Sequence, residues 1–222
     1  MKKTQFALQD KGLYPILQKA QAKELAMLAE VLSEKLTSNV RKTERDPLKL
    51  AIELQSMGGD SIVNLFRRKG VCYREIADDV ASKLSIKGHK DMDLLTLEEK
   101  VAEKLIEEYK KKLSETERAE FDRHIKEAIV GQGTATNAKR VTGKVMGGAA
   151  PMLAIMGGFI FRRGAVMAVP GVGQVVGGAL AVGSLLTSFS GTAYSVTVPS
   201  VLIIGSIRSR IEAEKMMDEF VI

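Results

Sequence analysis

Tryptophan is absent from this 222-residue chain, cysteine occurs once (Cys72) and histidine twice (His89 and His124). A single thiol excludes a disulfide framework and a thiolate metal cluster. Together with the scarcity of histidine, it fits a reducing, intracellular compartment. His89 and His124 lie on either side of a whole helix with no ligand-spaced partner, so both read as surface side chains and no metal site is expected. Without Trp or a repeated basic–aromatic pattern, nucleic-acid binding by base stacking has no support. The N-terminal "MKKTQFALQDKG" has a basic start with no apolar run behind it, unlike a secretory signal.

Acid is missing too, but only from one region. Residues 1–130 carry 25 basic and 23 acidic side chains, the mixed surface of ordinary helices. After Glu127 no acid follows until Glu212, and that gap holds Lys139, Arg140, Lys144, Arg162, Arg163, Arg208 and Arg210. A basic stretch with apolar filling suits an anionic lipid surface better than nucleic acid. The net charge of +6 is therefore concentrated where the partner is expected to be lipid.

No segment of residues 1–130 alternates apolar and polar residues as a strand does. The pattern is that of short amphipathic helices, about six of them. "YPILQKAQAKELAMLAEVLSEKL" places Pro15 near a helix start and an apolar stripe through Leu17, Leu25, Leu28, Leu32 and Leu36. Asp46 is the expected N-cap and Pro47 the first residue of a helix that stops at Gly58-Gly59. Asp60 or Ser61 caps the next, which Gly70 ends. "YREIADDVASKL" buries Tyr73, Ile76, Ala77, Val80 and Leu84, and Arg74 reaches Asp78 one turn on. Thr96 with Glu99, and Ser114 with Glu117, read as capping boxes.

The blocks "ELQSMGGDSIVNLFRRKGVCYREIADDVASKL" (Glu53–Leu84) and "SGTAYSVTVPSVLIIGSIR" (Ser190–Arg208) resemble the YaaW-type family of uncharacterised bacterial proteins, usually placed near the ubiquinol–cytochrome c chaperones. The resemblance spans most of the chain. It implies an all-helical fold and a role beside a membrane, and it brings no biochemical activity. Gly58, Gly59, Asp60, Ser61, Gly70, Tyr73 and Arg74 form its signature, without an assigned role.

Two phosphate-binding patterns fail on inspection. "GVGQVVG" has Val176 where a dinucleotide fingerprint needs its third glycine, and no acid follows before Glu212. In "GQGTATNAKR", Asn137 and Ala138 stand where a glycine must precede the lysine, and no Ser or Thr follows it. The "GGDS" glycines read as a helix stop followed by a cap, which fills the amide site itself. No catalytic or cofactor motif survives, so the chain reads as a non-enzyme without a cofactor.

Fifteen of the 20 glycines lie from Gly131 onward. Val145–Phe161 is 17 uncharged residues and Gly164–Ile207 is 44, lengths that reach the criterion for spanning helices. Gly143/Gly147 and Gly173/Gly177 have the spacing that lets helix backbones approach closely in lipid, and Pro170-Gly171 is a natural break. Lys139, Arg140 and Lys144 before the region, and Arg208 and Arg210 after it, read as membrane-flanking basic residues on the cytoplasmic side. Two readings stay open: a membrane hairpin, or glycine-rich helices packed inside a soluble core under the amphipathic half. The apolar lengths favour the first.

The expected architecture is all-α: an amphipathic helical domain at 1–130, soluble and mostly helical when expressed alone but fully stable only when docked on the apolar half, a basic linker at 131–144, a glycine-rich apolar helical hairpin region at 145–207 and a charged C-terminal helix at 208–222. The expected function is that of a non-enzymatic protein at the cytoplasmic membrane, binding lipid and a protein partner in an assembly or chaperone-like role. The alternatives are a membrane-permeabilising protein with a masked hairpin, and a wholly soluble helical domain.

Overall fold

The computed structural model describes residues 3–34, 38–57, 70–111, 113–116, 118–119, 122 and 194–219. Seven α-helices lie among them, and no strand: α1 (Lys3–Gln9), α2 (Tyr14–Gln18), α3 (Ala22–Ser33), α4 (Pro47–Met57), α5 (Tyr73–Lys83), α6 (Leu94–Lys110) and α7 (Tyr194–Glu219). The all-α expectation holds for these residues. Whether residues 145–193 form a hairpin lies outside them.

Several helix starts follow from short polar side chains. Asp46 caps α4 as expected, its Oδ1 accepting the Leu48 amide at 2.8 Å. The single helix expected from Pro15 through Leu36 is instead two, α2 and α3, separated by three residues. Glu24 Oε2 accepts the Gln21 amide at 2.7 Å, so a glutamate one turn inside α3 satisfies the amide that precedes it. The start of α6 also differs from the sequence reading. Asp93, not Thr96, is the cap: its Oδ1 accepts the Thr96 amide at 3.0 Å and its Oδ2 the Thr96 hydroxyl at 2.8 Å. Those two bonds hold the Asp93 carboxyl below its ordinary value. Asp outcompetes Thr here because an ionised acceptor makes the stronger bond to an orphan amide.

The helices share one core. Leu17, Leu28, Leu32, Leu50, Leu54, Tyr73, Ile76, Val80, Leu97 and Val101 pack with Leu202, Ile204 and Ile207 in a single cluster. α7 is its central member and touches α2, α3, α4, α5 and α6. From Val196 to Ile207 every residue of α7 is buried, Thr197, Ser200 and Ser206 included. A helix apolar on all sides must be covered on all sides, and the amphipathic helices supply that cover. For Val196–Ile207, the end of the longer uncharged run, the reading that holds is therefore the protein core. Among the described residues no helix is long and apolar enough to cross a membrane.

The described helices do not separate at residue 130, and α7 runs through the boundary expected between 207 and 208. Val196, Val198, Val201, Leu202, Ile203, Ile204, Ile207 and Ile211 are all buried. At about 1.5–3 kcal/mol for each buried aliphatic side chain, their burial reaches or exceeds the roughly 5–15 kcal/mol net stability of a whole domain. A chain ended at residue 130 is therefore expected to keep helical circular dichroism but lose a cooperative urea transition. A fragment that melts as sharply as the full chain would remove α7 from its central place.

Candidate functional site

The polar side chains that α7 carries into the core define the first site. Glu98, fully buried on α6, receives Arg208 Nε on Oε2 at 2.8 Å and Arg208 Nη2 on Oε1 at 3.2 Å. The Tyr73 hydroxyl donates to the same Oε1 at 2.7 Å. Arg208 Nη2 also donates to the Gly12 carbonyl at 2.6 Å, in the turn between α1 and α2. A Cβ at Gly12 would meet Leu94 Cδ1 at 2.8 Å, so a larger residue there would have to turn the end of the Leu94 side chain aside. Asp10, in the same turn, accepts the Tyr73 amide at 2.7 Å and Gln55 Nε2 at 2.8 Å on Oδ2, and the Gly12 amide at 3.0 Å on Oδ1. One network thus joins the α1–α2 turn, α4, α5, α6 and α7.

Burial pushes the Glu98 carboxyl above its ordinary value, while Arg208 and the Tyr73 hydroxyl pull against it. Burial and the neighbouring Glu98 charge push the Tyr73 phenol well above its ordinary value. Burial opposes the charge on Arg208, but Glu98 outweighs it and holds the guanidinium protonated. Three donors converging on one carboxyl fit the carboxylate form, so we assign an ionised Glu98 locked between Tyr73 and Arg208. Both its oxygens are occupied by protein donors, which leaves this group positioned to hold helices together and not to abstract a proton.

A second cluster lies beside that network. Arg210 donates from Nε to Glu24 Oε1 and from Nη2 to Glu24 Oε2, both at 2.9 Å, and from Nη2 to the Lys19 carbonyl at 3.0 Å. It also pairs with Glu214 one turn on. Arg210 thereby clamps the break between α2 and α3, joining the residue that ends one helix to the glutamate that starts the next.

A third cluster lies on α5. Arg74 donates to Asp78 at 2.9 and 3.2 Å, the expected intrahelical pair, and also to the carbonyls of His89, Lys90 and Met92. His89 is not the surface side chain expected from its spacing. Its Nδ1 lies 3.0 Å from Asp78 Oδ1, its Nε2 lies 3.0 Å from Ser82 Oγ, and its side chain is 13% exposed. A Ser–His–Asp chain has the order of nucleophile, base and orienting acid. Two features argue for a clamp instead. Arg74 occupies both Asp78 oxygens, and Ser82 stands in the last turn of α5, where carbonyls, not the amides an oxyanion needs, face outward. The cluster ties the 84–93 connection back along α5.

Of the family signature, Gly58, Gly59, Asp60 and Ser61 lie outside the described residues. Gly70 has φ +79°, a left-handed conformation that favours glycine. Tyr73 and Arg74 belong to two different networks. Lys139, Arg140 and Lys144, expected to flank a membrane, also lie outside the described residues. Arg208 and Arg210 are turned into the bundle and paired with Glu98 and Glu24. Among the described residues no group of three or more His, Cys, Asp or Glu could hold a metal.

This network sits in a chain 34% identical over 173 residues to the UPF0174 protein YaaW of Escherichia coli strain K12, covering 75% of this chain and 73% of that protein. The chain belongs to the UPF0174 family. UPF0174 proteins of Helicobacter pylori strains J99 and 26695 are each 26% identical to it, over 196 and 200 residues, covering 76% of this chain and 90% of theirs. No family model and no solved structure matches the chain. The family expected from the two quoted blocks is thus the one found. Asp10, Gly12, Gln55, Glu24 and Glu98 escaped the sequence reading. Glu98 carried a signal: it is an acid that stands one turn from both Leu94 and Val101 on the apolar face of α6.

Two measurements test the assignments. Tyr73→Phe is expected to lower stability by about 1–3 kcal/mol, since it strips a donor from a buried acceptor. Glu98→Ala is expected to cost about 3–5 kcal/mol, because Arg208 is left buried and unpaired; equal urea midpoints for wild type and both variants would remove the lock. The Asp78 cluster is tested by pH. Burial raises the Asp78 carboxyl, but hydrogen bonds from Arg74 and His89 outweigh it and leave it below its ordinary value. A depressed native value stabilises the fold above the ordinary value and is lost as pH falls through the native one. Asp78→Asn should therefore flatten the acid side of the stability curve below about pH 4.

Proposed function

We propose that this UPF0174 protein is a non-enzymatic helical interaction protein of the cytoplasmic membrane, binding lipid through its glycine-rich stretch and acting on a protein partner in a chaperone-like or assembly role. The observation that carries the reading is topological. α6 and α7 pack against each other, so residues 111–193 join two helices of one bundle. A segment whose two flanks are held on one side of a bilayer crosses it an even number of times. With Tyr194–Ile207 in the bundle, the uncharged lengths that remain are Val145–Phe161, 17 residues, and Gly164–Ala193, 30 residues. Those lengths suit two arms of a hairpin, since about 20 residues span the hydrocarbon and 17 is the lower limit. Arg162 and Arg163 fall at its tip, where each avoids the roughly 3 kcal/mol cost of a mid-membrane arginine.

The non-catalytic part of the reading rests on saturation. Asp10, Asp78 and Glu98 have their oxygens taken by protein donors, which suits holding helices and not turning over a substrate. On the flanks, Arg208 and Arg210 are used within the bundle. The membrane-facing charge of this form then comes from Lys139, Arg140 and Lys144.

Carbonate extraction of the membrane fraction and vesicle flotation test the reading. Wild type is expected to resist carbonate. Replacing Lys139, Arg140 and Lys144 together by Gln is expected to weaken capture by anionic vesicles at low salt, at roughly 1 kcal/mol per residue. High salt should erase that difference, because screening acts within about 8–10 Å. Protein that stays with the soluble fraction, and never floats with anionic vesicles, would overturn the proposal. Dye release from the same vesicles separates binding from permeabilisation.

A further inference from the structure

We propose that the bundle meets the bilayer end-on, through the end where α7 starts, and that Lys83 and Lys87 there bind the phosphates of anionic lipid headgroups. This rests on the membrane reading above and names the surface of the folded part that faces the lipid. Contacts along α5 and α7 give the bundle two distinct ends. Lys83 Nζ, in the last turn of α5, lies 5.1 Å from the centre of the Tyr194 ring, at the first residue of α7. At the start of α5, the centre of the Tyr73 ring lies 6.0 Å from the Arg208 guanidinium carbon. α5 and α7 are therefore antiparallel, and Arg208 stands about 20 Å along α7 from Tyr194. α6 starts at the Arg208 end, where Glu98 receives both Tyr73 and Arg208. It packs against α5 and α7 and buries Val101, Leu105 and Ile106, whereas α7 past Ile211 exposes Glu214, Lys215 and Asp218. α6 thus runs back beside the covered part of α7 and ends at the Tyr194 end. The chain leaves the bundle after α6 and rejoins it at α7 on one side.

Charge and shape at that end match a headgroup layer. α5 stops in a tight reversal: the Ile86 amide donates to the Ala81 carbonyl and the Ser85 amide to the Ser82 carbonyl, both at 3.0 Å. Ser85 at φ 58° and Gly88 at φ 69° are both left-handed, so the chain folds back within a few residues. Ile86 packs against the core while Ser85, Lys87 and Gly88 stay exposed at the tip. Neither Lys83 nor Lys87 has a carboxylate partner among the described residues, whereas Lys110 and Lys111, at the end of α6, pair with Asp122 and Glu108. A lysine is a compact charge on a flexible stem, suited to a fluid layer of phosphates. Tyr194, beneath one of these lysines, is the kind of amphipathic ring that favours a membrane–water interface. The opposite end exposes Glu214 and Asp218, which an anionic surface repels. Lys139, Arg140 and Lys144 flank the glycine-rich stretch; Lys83 and Lys87 belong to the folded bundle and so also fix which way it faces.

Flotation of the full chain with phosphatidylglycerol vesicles tests the surface. Replacing Lys83 and Lys87 together by Gln is expected to weaken capture at low salt roughly tenfold, the size of effect that two lysines near an anionic surface supply. Replacing both by Arg should keep capture, since charge is what the lipid reads. Lys11 and Lys19 are exposed at the Arg208 end, beside carbonyls that Arg208 and Arg210 hold, and changing both to Gln is expected to leave capture near wild type. A second measurement reads orientation directly. The chain has no Trp, so Tyr194→Trp and Tyr14→Trp each place a single fluorophore, one at each end. With a nitroxide on the lipid headgroups, Tyr194→Trp is expected to be quenched several-fold more than Tyr14→Trp. Equal losses of capture from the two lysine pairs, or equal quenching of the two tryptophans, with the wild type floating, overturns the end-on docking and leaves the membrane reading standing. Failure of the wild type to float overturns both. Should the Lys83 and Lys87 variant lose its helical circular dichroism, the quenching contrast decides by itself.

Discussion

The buried pairing of Arg208 with Glu98 is the constraint on which the arrangement of the bundle depends. α7 is apolar on every side, so the hydrophobic effect holds it inside without choosing how it is turned or how far it is threaded. Rotation and register need directional contacts. Arg208 and Arg210 are two residues apart, about 200° around a helix, and they read different walls of the bundle: α6 and the α1–α2 turn for one, α3 and the end of α2 for the other. A slip of one residue would bury both guanidinium groups against aliphatic side chains. Such a pair adds little net stability over an apolar replacement. What it supplies here is a single allowed position for a helix that otherwise has many.

The same economy of polar contacts recurs at the connections. Asp10 receives amides and an amide side chain from its own turn, from α4 and from α5, so a loop residue sets the start of α5. Arg74 collects three carbonyls of the 84–93 connection, which lacks an apolar anchor between Ile86 and Met92. In each case one charged side chain on a rigid element gathers backbone groups that a loop cannot satisfy by itself.

Most of the helix positions were legible from caps and periodicity, because both are local. Asp46-Pro47 announced α4, and Tyr73, Ile76, Ala77 and Val80 announced the buried face of α5. The break between α2 and α3 was not, since the apolar stripe continues across it and the capping acid lies one turn inside the next helix. The site was harder still. Tyr73 and Arg74 stood out as words of a family pattern, yet nothing in adjacent residues shows that Tyr73 faces a carboxylate 25 positions on, or that the guanidinium beyond it comes from residue 208. Long-range pairings leave only an indirect mark: a charge on an apolar stripe, as at Glu98, or a charge at the edge of an apolar run, as at Arg208.

That second mark has two physical meanings. An uncharged run ended by arginines is what a membrane hairpin requires, because the arginines must reach the headgroups. It is also what a central core helix requires when carboxylates wait at the same depth. Hydropathy measures only the cost of removing the run from water, which both solutions relieve. The acids at 24 and 98 distinguish them, because each lies on the buried side of its helix where a soluble surface has no use for it. For Tyr194–Ile207 the docked solution is therefore written in the first half of the chain and not in the run itself.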